Sequence, residues 1–246
     1  MKNFGAQNMV SSMKKVLMQK PQKHMARVNA KKWNYISPIN QNLINRNYNE
    51  FYSIIKESGI EIFEMNLNDK NNELCDSVFT HDPSLVLNDG AIILNMGKKL
   101  RKKETLAHKK FYDSINIPII GSIINDGIVE GGDCLWLNNR TLLVGESNRT
   151  NKEGINQLNK ILKLLNIRLI HIKLPGIKNK NNCFHLMSII SMLDYDLAIG
   201  YSKLFPKDLK NILKEKKIKL LEMPEDEFIK SKTLAVNVLT LSPRNI

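Results

Sequence analysis

The sequence predicts an α/β fold assembled from repeats of one strand–turn–strand–helix unit. Three observations carry this. First, Glu130 to Leu158 reads as an acidic, glycine-rich turn, an apolar run, an Asn-containing turn, a second apolar run, an arginine-bearing turn and an amphipathic helix. Second, Asp76 to Ser114 repeats that order, with Asp89-Gly90 between its two apolar runs. Repetition at this scale points to stacked supersecondary units. Third, 246 residues at 42% hydrophobic content are enough for one large domain, taken as 1–246.

Taken in order, Lys14-Lys15-Val16-Leu17-Met18 is the first strand, closed by Pro21. Residues 22–42 are polar, with Trp33, Tyr35 and Pro38, and read as a long surface segment, either a lid over a pocket or an arm. Residues 43–58 form a helix with Tyr48, Phe51 and Ile55 on one face; Gly59 stops it, and Ile60 to Met65 alternates as a strand.

The Asp76–Pro83 approach leads into strand Ser84–Leu87. Asp-Gly is a strong hairpin signal, so Ala91–Leu94 returns beside it. A basic turn with Arg101 precedes a helix over 103–114. In the second copy Cys134–Leu137 and Thr141–Gly145 flank the turn Asn138-Asn139-Arg140. Thr150 and Glu153 have capping-box spacing ahead of Ile155, Leu158, Leu162 and Leu165. Partial copies occur at Asp196–Tyr201 and Val236–Ile246. The last stops where its return strand should begin, so a further C-terminal piece is expected beyond this chain.

No apolar run approaches the roughly 20 residues of a membrane helix, and the basic N-terminus has no long apolar segment behind it. Cys75, Cys134 and Cys183 show neither pairing nor metal spacing, which suits a reducing, cytoplasmic setting. The net charge of +13 concentrates in residues 1–32, 98–110 and 203–219. No aromatic residues interleave with these runs as stacking platforms would require, so a general drift toward Lys, Asn and Ile is preferred over nucleic-acid binding.

The chemistry-bearing residues share one arrangement. Asp76, Asp82 and Glu130 stand at strand entrances, Arg101 and Arg149 follow hairpins, and His185 lies between Phe184 and Leu186. Converging carboxylates suit a planar guanidinium, and two arginines at the rim suit a ligand carboxylate by the same fork geometry. Each residue also has a plainer reading. Asp82 before Pro83 can shape a turn, Arg101 can be a solvated member of a basic run, and His185 can be a core histidine. No cluster has metal-ligand spacing.

Four motifs in order resemble one family. These are Asp76-Ser77-Val78-Phe79-Thr80-His81-Asp82, Glu130-Gly131-Gly132-Asp133, Ser147-Asn148-Arg149-Thr150-Asn151 with Glu153-Gly154, and His185-Leu186. They are similar to those of the guanidino-modifying superfamily, which includes dimethylarginine dimethylaminohydrolases, arginine deiminases and amidinotransferases. The resemblance implies a pentein fold, an α/β propeller of five ββαβ-type units around a pseudo-fivefold axis, the last incomplete here. It implies a small guanidino substrate and neither cofactor nor metal. It leaves open whether the protein is a monomer or a homo-oligomer.

By the same resemblance His185 would be the acid/base, and Glu130 would hold the guanidinium and orient the histidine. Asp82, supported by Asp76, would bind the guanidinium nitrogens, and Arg101 and Arg149 would hold the substrate carboxylate. The nucleophilic cysteine would lie beyond Ile246, with Cys183 a candidate substitute on a strand beside His185. Where deiminases and amidinotransferases carry Asp two residues after the histidine, this chain has Met187, which favours the dimethylarginine branch. The alternatives are a non-catalytic arginine-binding protein, and arginine deiminase or amidinotransferase activity.

Overall fold

A computed structural model of the chain describes residues 4–5, 7–67, 74–176, 184–232 and 234–246. The first strand, β1 (Lys15–Met18), pairs in parallel with β2 (Glu61–Glu64) across helix α1 (Gln41–Glu57). Asn40 caps α1 by accepting from the Leu43 amide, and Gly59 at φ +72° ends it. The inner face of α1 is Tyr48, Tyr52 and Ile55; Phe51, expected there, is exposed.

Three complete units follow among the described residues. The first is β3 (Ser84–Leu87), β4 (Gly90–Ile93), α2 (Lys102–Ser114) and β5 (Ile119–Ser122). The second is β6 (Cys134–Asn138), β7 (Thr141–Glu146), α3 (Lys152–Leu164) and β8 (Arg168–Lys173). The third is β9 (Ile190–Asp194), β10 (Leu197–Gly200), α4 (Lys207–Glu215) and β11 (Lys219–Glu222), with α5 (Glu225–Lys230) beyond it. In each, an antiparallel hairpin is extended by a parallel strand that returns after the helix. This is the ββαβ unit of a pentein-type α/β propeller.

Local chemistry explains the turns. Gly90 sits at φ +146°, and a Cβ there would meet the Pro118 carbonyl oxygen at 2.3 Å, so glycine is required at this corner. The strands read as unbroken apolar runs because they divide two cores between them. Cys134 and Trp136 face one core with Leu142 and Val144; Leu135 and Leu137 face the other with Leu143. Alternation along a strand places neighbours on opposite faces, so a strand covered on both sides keeps no polar stripe.

Two expected elements take a different form. The N-cap of α3 is Asn151, whose side chain accepts from Gly154, rather than Thr150. The Thr150 hydroxyl instead accepts from the Glu130 amide. The copy at Val236–Ile246 forms no strand. Pro243 cannot donate to a ladder, Arg244 turns at φ +65°, and a single bridge joins Ser242 to Asn245. The segment is fixed by individual bonds: Thr240 to the Met192 carbonyl, Met13 to the Leu241 carbonyl, and the Arg244 amide to the Leu193 carbonyl.

The polar stretch at 22–42 is packed. Met25 and Trp33 are buried with Cys75, and Tyr35 and Ile39 lie against them. No helix among the described residues is long and apolar enough to cross a membrane.

Candidate functional site

Each complete unit sends one residue inward from the segment just ahead of its first strand. Asp82 precedes β3. Glu130 precedes the single 3-10 turn Gly131–Asp133 that enters β6. His185 precedes the turn Leu186–Ser188 that enters β9. Side-chain atoms of the three lie within 4.8 Å of one another. Equivalent positions in pseudo-symmetric units meet near the axis, so residues far apart in sequence share one site. His185 stands at a turn and not on a strand, as expected earlier; Cys183, two residues before it, lies outside the described residues.

His185 is held between carboxylates. Its Nε2 lies 3.4 Å from Glu130 Oε2 and its Nδ1 lies 3.1 Å from Asp133 Oδ2. Asp133, fully buried, is fixed in turn by the Ser147 hydroxyl at 2.6 Å and the Leu186 amide at 2.9 Å. Sequence reasoning passed over Asp133 as a site residue. Its signal was the spacing of three from Glu130, which one 3-10 turn brings back to the same side. Gly132 lies flat beneath the imidazole: a Cβ there would come within 2.7 Å of His185 Cδ2.

Arg101 and Arg149 are both buried, not placed at a rim. Arg101 has all three guanidinium nitrogens engaged. Nη1 donates to Asp82 at 2.6 Å, Nε and Nη2 to Glu104, and Nη2 also to the Phe79 carbonyl. It acts as the internal counter-ion of two acids. Arg149 differs. Among the described residues its guanidinium donates through Nη1 alone, to both oxygens of Glu130 at 3.1 and 3.2 Å. Arg149 also lines a cavity of about 280 Å³, together with Lys32, Asn34, Lys98, Lys99 and Asn148.

Asp76 does not join the inner cluster. It accepts from the Tyr35 hydroxyl at 2.7 Å and from Lys98 Nζ at 2.5 Å. Lys98 also donates Nζ to the Trp33 carbonyl at 2.6 Å, and its backbone amide to Glu130 Oε1 at 3.0 Å. Its ammonium lies over the Trp33 and Tyr35 rings. The 22–42 segment is thereby tied to the site.

Electrostatics keep the two inner acids charged. Burial pushes both carboxyls toward protonation. For Asp82 the Arg101 guanidinium and the His185 ring outweigh it, and the group sits well below the usual carboxylate range. For Glu130 the hydrogen bond from His185 and the charge of Arg149 bring it below its ordinary value. Glu104 goes the other way. Burial, with Asp76 and Asp82 nearby, outweighs its share of Arg101 and raises it to about 7.

Glu104 therefore binds a proton more readily folded than unfolded. Its contribution opposes folding as pH rises from its unfolded value near 4.5 through about 7. His108, buried behind it and lowered to about 3 by burial, contributes the opposite slope below pH 6.5. Comparing wild type with Glu104→Gln cancels the histidine. The variant is expected to gain on the order of 2–3 kcal/mol relative to wild type between pH 4.5 and 8. Urea unfolding across that range measures it; a pH-independent difference would contradict the assignment.

Two carboxylates and an imidazole could also hold a divalent ion. Each acid already has a guanidinium in contact, however, and a second positive charge of two units there meets repulsion from Arg101 and Arg149. A planar organic monocation fits the same acceptors at lower cost. Cys75 and Cys134 are both buried, and burial pushes the Cys134 thiol far above its ordinary pKa.

The chain matches known proteins on this frame. A family model described as arginine deiminase matches residues 67–209, more than half of the chain. YkgA, an uncharacterized protein of Bacillus subtilis, is 29% identical over 173 residues, which are 70% of this chain and 56% of YkgA. Arginine deiminase of Bacillus cereus is 31% identical over 125 residues, 48% of this chain and 30% of that enzyme. The match thus spans about half the length of the first relative and a third of the second. Among solved structures, a mutant of dimethylarginine dimethylaminohydrolase from Pseudomonas aeruginosa complexed with citrulline superposes with a TM-score of 0.71. The identity is 18%, covering 95% of this chain and 94% of that one, a likeness of fold.

Proposed function

Since this chain belongs to the arginine deiminase family, within the guanidino-modifying superfamily, we propose that it hydrolyses a C–N bond of the guanidino group of arginine derivatives. The proposed head group is of the dimethylarginine type, giving a citrulline-type urea and an amine. The observation that carries the reading is the convergence of Asp82, Glu130 and His185 within 4.8 Å.

In this reading Asp82 and Glu130 accept from the edges of the flat cation, balancing its charge and fixing its carbon for attack. A nucleophile adds to that carbon. His185 Nε2 gives a proton to the departing amine, then takes one from the water that releases the urea, while the Asp133 carboxylate, 3.1 Å from Nδ1, favours the protonated ring. Met187, at the position discussed above, is packed in the apolar core and offers the head group no third carboxylate, which favours an alkylated nitrogen over an unsubstituted one.

A second reading, binding of an arginine-type cation without turnover, is favoured by the inaccessible thiols of Cys75 and Cys134. One experiment separates the two. Dimethylarginine is titrated by calorimetry into wild type and Glu130→Gln, and the same samples are assayed for urea product. The first reading expects binding with product, the second binding alone. Both expect the variant to bind roughly 10- to 100-fold more weakly through the lost charged hydrogen bonds. Absence of binding by folded wild type overturns both.

A further inference from the structure

We infer that the site selects guanidino compounds whose far end is a carboxylate without a free α-ammonium group. The inference rests on the amidine reading and names the part of the substrate class that reading leaves open. The observation is the cavity beside Glu130. Its charged lining residues are Lys32, Lys98, Lys99 and Arg149, and none of its described lining residues is acidic. Arg149 links the two halves of the site: its Nη1 donates to Glu130 at 3.1 Å, and the residue also lines the cavity.

A free amino acid tail carries one negative and one positive charge, and the positive one needs an acceptor. Among the described residues the carboxylate bonded to this wall is Asp76, and it is already paired with Lys98 Nζ at 2.5 Å and bonded to Tyr35 at 2.7 Å. The Trp33 carbonyl, also at this wall, accepts from the same ammonium. Glu130 faces Arg149 and the head group. An α-ammonium would therefore enter among the cations Lys32, Lys98, Lys99 and Arg149, with no acid among the described lining residues. At separations of a few ångströms such repulsion is worth about tenfold or more in affinity at a protein surface. A tail that is only a carboxylate gains from every one of the same groups. The two exposed lysines, Lys32 and Lys99, add a long-range attraction that salt screens.

The test uses three ligands with one dimethylguanidino head: dimethylarginine, its Nα-acetyl derivative, and the analogue with the α-amino group replaced by hydrogen. The last two have tails of net charge −1, the first a tail of net charge zero. Calorimetry with the full chain is expected to show both anionic-tail ligands at least about tenfold tighter than dimethylarginine. Using two of them separates charge from added bulk. In Lys32→Ala/Lys99→Ala the preference is expected to shrink by about two- to fivefold, since exposed charges contribute modestly. Dimethylarginine binding as tightly as the other two overturns the inference and leaves the amidine reading standing, as does a preference unchanged in the double variant. Failure of all three ligands to bind overturns the amidine reading itself and the inference with it.

Discussion

Replacing Arg101 by Met is expected to lower the unfolding free energy by about 3–5 kcal/mol, the cost of leaving buried charge without its partner. Arg101 is 4% exposed, and its guanidinium is shared by Asp82 and Glu104. Methionine fills much of the space, so the loss is electrostatic. Glu104, already raised to about 7, takes up a proton. Asp82 loses the charge that holds its carboxyl low. Urea unfolding at neutral pH measures the effect, and Arg101→Met/Glu104→Gln should recover part of it, because the two residues act as a pair. An arginine at a solvated rim would cost under about 1 kcal/mol, so a loss that small would contradict the burial described here. Arg149→Met makes a useful contrast. It removes one partner of Glu130 and also a cation lining the cavity, so affinity for the proposed ligand should fall along with stability.

Gly132→Ala is expected to reduce the proposed guanidino hydrolysis about 100-fold, the scale on which a misplacement of about 1 Å acts. The added Cβ would lie 2.7 Å from Cδ2 and 2.9 Å from Cγ of His185, closer than real contacts permit, so the ring must move. Its geometry to Glu130 Oε2 and Asp133 Oδ2 moves with it. The change adds one methyl group and no charge, so thermal unfolding should shift much less than the rate. A shift in the His185 imidazole resonances would report the displacement independently of turnover. Unaltered resonances together with an unaltered rate would contradict the placement of the ring over Gly132.

What was legible in the sequence was local. Asp89-Gly90 and Asn138-Asn139-Arg140 each mark a hairpin through their own conformational chemistry, and both hairpins form with the expected strands. The repeat was legible because the acidic approach and the arginine-bearing turn recur in order. The cap of α3 was misread by one residue because Thr150 is taken up by the Glu130 amide, a partner 20 residues away. Arg101 has the same cause on a larger scale. In a basic run it looks solvated, and only the meeting of Asp82 with the first turn of α2 shows that it is an internal counter-ion. Asp133 escaped notice because it closes the turn that Glu130 opens, and its role exists only once His185 arrives from a different unit. Spacing within one segment reveals turns and faces; the pairing of charges across units depends on closure of the whole ring.

Lys98 makes two distant parts of the molecule answer to each other. Its ammonium is fastened to Trp33 on the 22–42 segment, and its own amide steadies Glu130. A shift of that segment would pull on the same residue that donates to that carboxylate. The segment and the acid are thus coupled through the side chain and the backbone of one residue, and loosening either end would be felt at the other.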